Sequence, residues 1–160
     1  MKPQAKDTSF GTRRGALRML GGLAVALALG ALRPVRGIAA EWNKAAFDAR
    51  ALADALKALG ISGVVDSDKV ELKAPEIAEN GAIVPVEISS ALPGTQTLYL
   101  FAEKNPQPLV AQFDLVGVEP FISTRIKMGE SAKVLAIVKA GGKFYSASRE
   151  VKVTIGGCGG

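Results

Sequence analysis

A single thiol lies near the carboxyl end of the sequence. Cys158 is the only cysteine among the 160 residues, and two pairs of glycines bracket it: Gly156, Gly157, Gly159 and Gly160. Glycine has no side chain to pack and adopts either sign of φ, so the sequence predicts a mobile tail. At about 3.3 Å per extended residue, Cys158 could stand roughly 10 Å beyond Ile155. The tail is therefore suited to presenting a reachable thiol.

The residues that would make this thiol catalytic are missing from the sequence. A reactive cysteine is held beside a base, a cation or a helix amino terminus, which raises its thiolate fraction. The sequence has no histidine, the usual base at neutral pH and the commonest metal ligand. One cysteine also cannot form an internal disulfide. We therefore predict no catalytic residue and no metal site, and we expect Cys158 to be presented to the active sites of other proteins.

Residues 1–40 have the order of a bacterial export signal. A basic stretch with Arg13 and Arg14 comes first, and an apolar run follows. Paired arginines ahead of a weakly apolar run resemble the twin-arginine export signal, which serves proteins that are already folded. The run is about 14 residues long, shorter than the roughly 20 needed to span a bilayer. We expect cleavage after Ala39 or Ala40, release into the periplasm and no stable membrane insertion.

The net charge of the chain depends on this signal. The whole sequence has 20 Lys and Arg and 15 Asp and Glu, a net charge of +5. Residues 1–40 hold seven of the basic residues and one of the acidic ones, which leaves 13 basic and 14 acidic residues. The mature net charge is then about −1, which gives no argument for binding nucleic acid.

An amphipathic helix is predicted at the start of the mature chain. Phe47, Leu52, Leu56 and Leu59 recur at helical spacing within residues 42–59, and Gly60 then follows as a stop. A helix of this kind is expected to pack on its own domain. Binding a partner protein is the alternative.

The pattern changes from helical to alternating after this helix. Turn residues interrupt the chain about every 8 to 12 residues, which is typical of an antiparallel β-sandwich. Gly141 and Gly142 suit a tight hairpin. We predict a helix and sandwich over 41–155, followed by the arm 156–160. The predicted strands are 69–73, 83–89, 96–102, 109–115, 121–126, 133–139, 143–148 and 152–155.

Four stretches of the sequence resemble the SoxY family, the sulfur carriers of the bacterial thiosulfate-oxidising Sox system. The tail stretch is "EVKVTIGGCGG" at 150–160. The internal stretches are "PEIAENGAIVPVEI" at 75–88, "LFAEKNPQP" at 100–108 and "STRIKM" at 123–128. The resemblance implies an immunoglobulin-like sandwich and a covalent sulfur attachment site at Cys158.

The resemblance also implies partners and a reaction sequence. The heterodimer partner would be SoxZ, which has no export signal of its own. SoxAX would join thiosulfate to the thiol, SoxB would release sulfate and leave a persulfide, and SoxCD, where present, would oxidise the remaining sulfur. The carrier itself would be non-catalytic and would hold no cofactor besides the bound sulfur. We expect a disulfide-linked homodimer as an off-pathway product of the exposed thiol.

Three other functions remain open from the residues alone. The chain could be an exported binding module whose tail cysteine forms an intermolecular disulfide. It could be a ubiquitin-like carrier activated at the carboxylate of Gly160, although export separates it from cytoplasmic ATP. It could be a thiol peroxidase, although no residue is evident that would activate the sulfur.

Overall fold

The computed structural model describes residues 43–154, and within this range two short helices precede nine strands. The helices are α1 (Lys44–Asp48) and α2 (Leu52–Ala58). The strands, in chain order, are β1 (Val65–Asp66), β2 (Val70–Lys73), β3 (Ile77–Ala78), β4 (Val84–Ser90), β5 (Thr95–Ala102), β6 (Leu109–Asp114), β7 (Phe121–Ile126), β8 (Ala132–Ala140) and β9 (Lys143–Val153). Neither helix of this range is long and apolar enough to cross a membrane.

The predicted single helix over 42–59 is wrong in one respect, because it is broken into α1 and α2. Ala49 and Ala51 have extended backbone angles, with ψ of 137° and 143°. Asn43 caps α1 by accepting a hydrogen bond from the Ala46 amide, and its Nδ2 donates to the carbonyl of Ala58 at 3.0 Å. The start of α1 is thus tied to the end of α2, a long-range contact that helical periodicity alone cannot predict.

The strands form two sheets. The larger sheet has the order β1-β9-β8-β5-β6, with β3 also paired to β9, and the smaller sheet has the order β2-β4-β7. All long strands pair antiparallel, as predicted. The two-residue strands β1 and β3 were not predicted, and both pair parallel with β9. Two residues are too short for an alternating pattern to be recognised.

The main core lies between the two sheets, which confirms the predicted sandwich. Alternate residues of β4 face the large sheet, and Val84, Val86 and Ile88 are almost fully buried. They share one apolar cluster with residues of β5, β8 and β9, among them Leu98 and Val134. Strand alternation explains this arrangement, because side chains of period two fall on one face of a sheet.

A second apolar cluster covers the other face of the large sheet. Phe101 and Ile137 on this face are buried against the helices, which contribute Ala46 and Ala55 at 0% exposure. The alanines let the helix backbones approach the sheet closely. The expectation that the helical segment packs on its own domain is therefore confirmed.

Strand β9 is longer than predicted. Residues 143–153 form one strand rather than two, because β9 pairs with β8 from Lys143 opposite Ala140 to Val151 opposite Ala132. The hairpin that joins them has positive φ at Gly141 (56°) and Gly142 (76°), which confirms the predicted tight turn. The last described residue is Thr154, so Ile155 lies outside the described residues.

Candidate functional site

The candidate site is the last described part of the chain before Cys158. Cys158 itself lies outside the described residues, as do the four glycines that bracket it and the predicted export residues Arg13 and Arg14. The structure describes the chain up to Thr154, four residues before the cysteine. The contacts of residues 152–154 therefore fix the position of Thr154, the last described residue before Cys158.

The end of β9 is anchored from within the core. Val151 is fully buried in the main cluster, and Val153, two residues later on the same face, is half-buried against it. Lys152 and Thr154 point the other way and are exposed. The apolar face of β9 therefore anchors the strand as far as Val153, one residue before the end of the described range.

One edge of this strand end is held by β3 and the residues around it. The Lys152 amide donates to the carbonyl of Glu76 at 2.9 Å, and the Thr154 amide donates to the carbonyl of Ala78 at 3.1 Å. The Thr154 hydroxyl adds a bond to the carbonyl of Glu79 at 3.3 Å. These bonds run to a segment more than 70 residues earlier in the sequence.

The opposite edge is held by the side chain of Ser131. The Val153 amide donates to Ser131 Oγ at 2.9 Å, and Ser131 Oγ lies 3.4 Å from the Val153 carbonyl. Strand β8 begins only at Ala132, whose partner on β9 is Val151. The serine hydroxyl therefore substitutes for a neighbouring strand where the pairing of β8 has ended.

Gly81 allows the segment after β3 to lie against this strand end. A Cβ atom at Gly81 would stand 2.4 Å from the Met128 carbonyl oxygen and 2.8 Å from Cγ1 of Val153. Both distances are shorter than real contacts allow, so a side chain here would force the backbone apart. The Met128 amide, in turn, donates to the Gly81 carbonyl at 2.7 Å. We call residues 152–154, the segment 76–81, Met128 and Ser131 the arm root.

The loop between β5 and β6 is hydrogen-bonded to the residues on either side of Met128 in the arm root. Asn105, between β5 and β6, donates from Nδ2 to the Lys127 carbonyl at 2.7 Å and accepts from the Gly129 amide at 3.3 Å. An exposed ion pair of 4.0 Å joins Lys104 to Glu130 across the same loops. Such an exposed pair adds little stability, so the amide of Asn105 is the more important link.

Sequence reasoning missed Ser131, Gly81 and Asn105 as residues of the site. A signal for two of them was present, because Gly81 lies in the stretch 75–88 and Asn105 in 100–108, both of which carry the family resemblance. The third internal stretch, 123–128, ends at Met128. Three stretches far apart in sequence thus meet at the arm root.

The described residues offer little other chemistry. Across residues 43–154, no group of three or more acidic side chains is arranged to hold a metal ion. Burial raises the pKa of the Tyr99 hydroxyl, a hydrogen bond with Thr97 opposes this shift, and the charge of Asp114 adds to it. Thr97 also donates to Asp114 at 3.0 Å. Tyr99 belongs to the apolar cluster on the helix-covered face of the large sheet.

Comparison with protein families gives a match over residues 56–158 to the model described as "Sulfur oxidation protein SoxY". The chain belongs to the SoxY family. The match runs to position 158, so it includes the cysteine that the sequence analysis selected. Membership makes the protein one of the sulfur carriers of thiosulfate oxidation, a family of carrier proteins and not of catalysts.

One solved structure supports the family membership. The structure of the sulfur carrier protein SoxY from Chlorobium limicola f thiosulfatophilum is 43% identical, with a TM-score of 0.60 over 65% of this chain and 96% of that chain. A superoxide reductase (neelaredoxin) from Ignicoccus hospitalis is 17% identical, with a TM-score of 0.48 over 54% of this chain and 80% of that chain. A likeness this low carries no functional argument. Comparison with curated proteins finds no significant match.

Proposed function

We propose that this protein carries sulfur intermediates of thiosulfate oxidation covalently on Sγ of Cys158. The observation that supports this most strongly is the family match, which extends through residues 56–158 and so reaches the only cysteine of the chain. The arm root adds a physical argument, since the fold holds the chain firmly to Thr154, a short distance before that cysteine.

The first step attaches the cargo. A bond forms between Sγ of Cys158 and the outer sulfur of thiosulfate, the thiol loses its proton, and two electrons pass to the haem protein SoxAX. The product is a cysteine S-thiosulfonate. In this step the carrier supplies the thiol and the partner supplies the oxidant, so this chain needs no metal or base of its own.

The second step releases sulfate. SoxB adds water across the bond between the two sulfur atoms of the former thiosulfate, and sulfate leaves while a persulfide remains on Cys158. Where SoxCD is present, it takes up the electrons as oxygen atoms from water are added to the outer persulfide sulfur, and SoxB then hydrolyses the resulting sulfonate to sulfate and the free thiol. A second thiol on the tail could attack the persulfide and release the cargo, and therefore a single cysteine suits this chemistry.

The proposed setting is the periplasm. Arg13 and Arg14 would direct the folded chain to the twin-arginine route, and a folded complex could bring SoxZ, which has no signal of its own, across with it. Because α1 and α2 already pack on the large sheet, their buried faces are not available to SoxZ. An exposed sheet edge or the outward surface of the helices would form that contact.

A cysteine replacement tests the function. Cys158→Ser should abolish thiosulfate-dependent sulfate formation when the variant is mixed with SoxZ, SoxAX and SoxB. The serine hydroxyl has no sulfur atom to bond to the outer sulfur of thiosulfate. Intact-mass measurement of the wild-type protein from thiosulfate-grown cells should show sulfur-containing adducts that a reductant removes.

The matched control for this test is Ser148→Ala, which alters an exposed serine of β9 away from the arm root. It should retain full sulfate formation. Normal sulfate formation by Cys158→Ser would sink the proposal. If that variant lost only a disulfide-linked dimer, the chain would be a binding module instead.

A further inference from the structure

We propose that the arm root sets the origin and the free length of the carrier tail, with Ser131 and Gly81 as positioning residues. This inference rests on the proposed function, because tail length matters only if Cys158 must enter other proteins' active sites. The arm root would fix the pivot at Thr154, leaving residues 155–157 between the fold and the cysteine.

The end of β9 is hydrogen-bonded along both edges beyond its regular pairing with β8. The last β8 partner of β9 is opposite Val151, so residues 152–154 would have one bare edge in an ordinary strand end. Ser131 Oγ occupies that edge with the 2.9 Å bond from the Val153 amide. Strand ends without such partners usually fray, so this hydroxyl delays fraying by two or three residues.

The edge of residues 152–154 that is bonded to 76–79 depends on a close approach that only glycine permits. Residues 76–79 accept the Lys152 and Thr154 bonds, and the chain then turns at Gly81. The absent side chain of Gly81 leaves room for Cγ1 of Val153 and for the Met128 carbonyl. A methyl group there would push the accepting segment away from β9.

Detachment of residues 152–154 would change how far Cys158 can reach from the fold. If residues 152–154 detached, the number of residues between the anchored strand and Cys158 would double from three to six. At about 3.3 Å per residue, the reach of Cys158 would grow from roughly 13 Å beyond Thr154 to roughly 23 Å beyond Val151. Effective concentration falls roughly as the −3/2 power of tether length, so the thiol's concentration at a docked active site would fall about threefold.

The test is Ser131→Ala, which removes one hydroxyl of a half-buried residue. Amide exchange at Val153 and Thr154 should accelerate at least tenfold. The kcat/KM for sulfate formation with the partner enzymes should fall measurably, by at most about threefold, which is the limit for complete detachment of residues 152–154. The rate at which a small soluble disulfide modifies Cys158 should not change, because the thiol's own surroundings are unaltered.

Two further variants separate positioning from a general loss of stability. Ser131→Thr keeps the hydroxyl and should restore both the exchange protection and kcat/KM. Gly81→Ala should reproduce the Ser131→Ala defects from the other edge. Ser148→Ala, remote from these bonds, should match the wild-type protein in every measurement.

The outcomes are distinguishable from failure of the proposed function. Unchanged amide exchange at Val153 and Thr154 in Ser131→Ala would show that the Ser131 hydroxyl does not hold the strand end, which overturns the proposal. Faster exchange with unchanged kcat/KM would overturn its role in positioning. In either case Cys158→Ser would still abolish sulfate formation if the carrier function is correct, and the exchange measurement stands without any partner enzyme.

Discussion

At the scale of single residues, the residue proposed to carry sulfur differs from the residues that hold the end of β9. The only thiol of the sequence, Cys158, lies outside the described residues, whereas Ser131 and Gly81 contribute a hydroxyl and an absent side chain to the arm root. Neither residue touches sulfur in this proposal. Both act on Val153: Ser131 Oγ accepts a hydrogen bond from its amide, and the missing side chain of Gly81 leaves room for its Cγ1.

Tyr99 gives a residue-scale prediction about pH. Burial raises the pKa of its hydroxyl above the ordinary value of 10.0, so the folded protein favours the neutral phenol. A raised folded-state pKa contributes stability that is fully present below the unfolded-state pKa and is lost as pH rises through the folded-state value. The free energy of unfolding should therefore decline above about pH 10.

Urea unfolding at pH 8 to 11.5 measures this decline. Tyr99→Phe should show a shallower loss of stability above pH 10 than the wild-type protein. The other tyrosine provides the control, since Tyr145→Phe leaves the Tyr99 hydroxyl in place and should retain the wild-type slope. Parallel curves for wild-type and Tyr99→Phe proteins would contradict the assignment.

At the scale of elements, β9 links the core to the tail. It is the longest described strand, it pairs with β8 along one edge, and β1 and β3 cover parts of the other. Its amino end is fixed by the Gly141–Gly142 turn and its carboxyl end by the arm root. The register set by that turn decides that Val151 and Val153 face inward and that Val153 meets Ser131.

The turn gives an element-scale prediction. Gly141 has φ of 56°, and a Cβ there would meet nothing within 4 Å, so any cost of substitution comes from backbone conformation and not from a clash. Gly141→Val should lower the free energy of unfolding by about 1–2 kcal/mol, the cost of a left-handed conformation for a branched residue. Urea denaturation measures this change.

The matched variant at the same position is Gly141→Asn. Asparagine tolerates positive φ and is favoured at the first position of a tight hairpin, so most of the stability should be retained. Equal losses for Gly141→Val and Gly141→Asn would mean that side-chain volume, not backbone conformation, controls this turn.

At the scale of the whole molecule, the large sheet is buried on both faces. One face meets the small sheet and the other meets α1 and α2. The large apolar side chains that remain exposed include Val116 at 87% and Val118 at 62%, in the loop between β6 and β7. By strand register this loop follows the end of β6 nearest the Gly141–Gly142 turn, away from the arm root.

The buried helix face gives a whole-molecule prediction. Phe101 is fully buried in the cluster formed with the helices, whereas Phe121 at the start of β7 is 51% exposed. Phe101→Ala should lower the free energy of unfolding by about 3–5 kcal/mol, the usual cost of emptying such a site. Phe121→Ala should cost far less. Thermal unfolding of both variants tests this, and similar losses would contradict the importance of the helix-covered core.

The sequence alone determined the features that depend on local pattern and chemistry. Alternation located seven of the nine strands, because a half-buried strand repeats every two residues, and glycine chemistry located the hairpin at Gly141. The absence of histidine and the position of Cys158 favoured a thiol presented to other proteins over a catalytic cysteine. Family resemblance added the sulfur chemistry, since no periodicity encodes what a thiol will carry.

Tertiary structure decided the features that depend on residues distant in sequence. The break between α1 and α2, the parallel pairing of β3 with β9 and the bond from Val153 to Ser131 all join separate segments. Their energies arise only when the segments meet, so each local sequence looks like an ordinary turn or strand end. The sequence thus predicts a tail that carries a thiol, and the fold decided how residues 152–154, which precede that tail, are held.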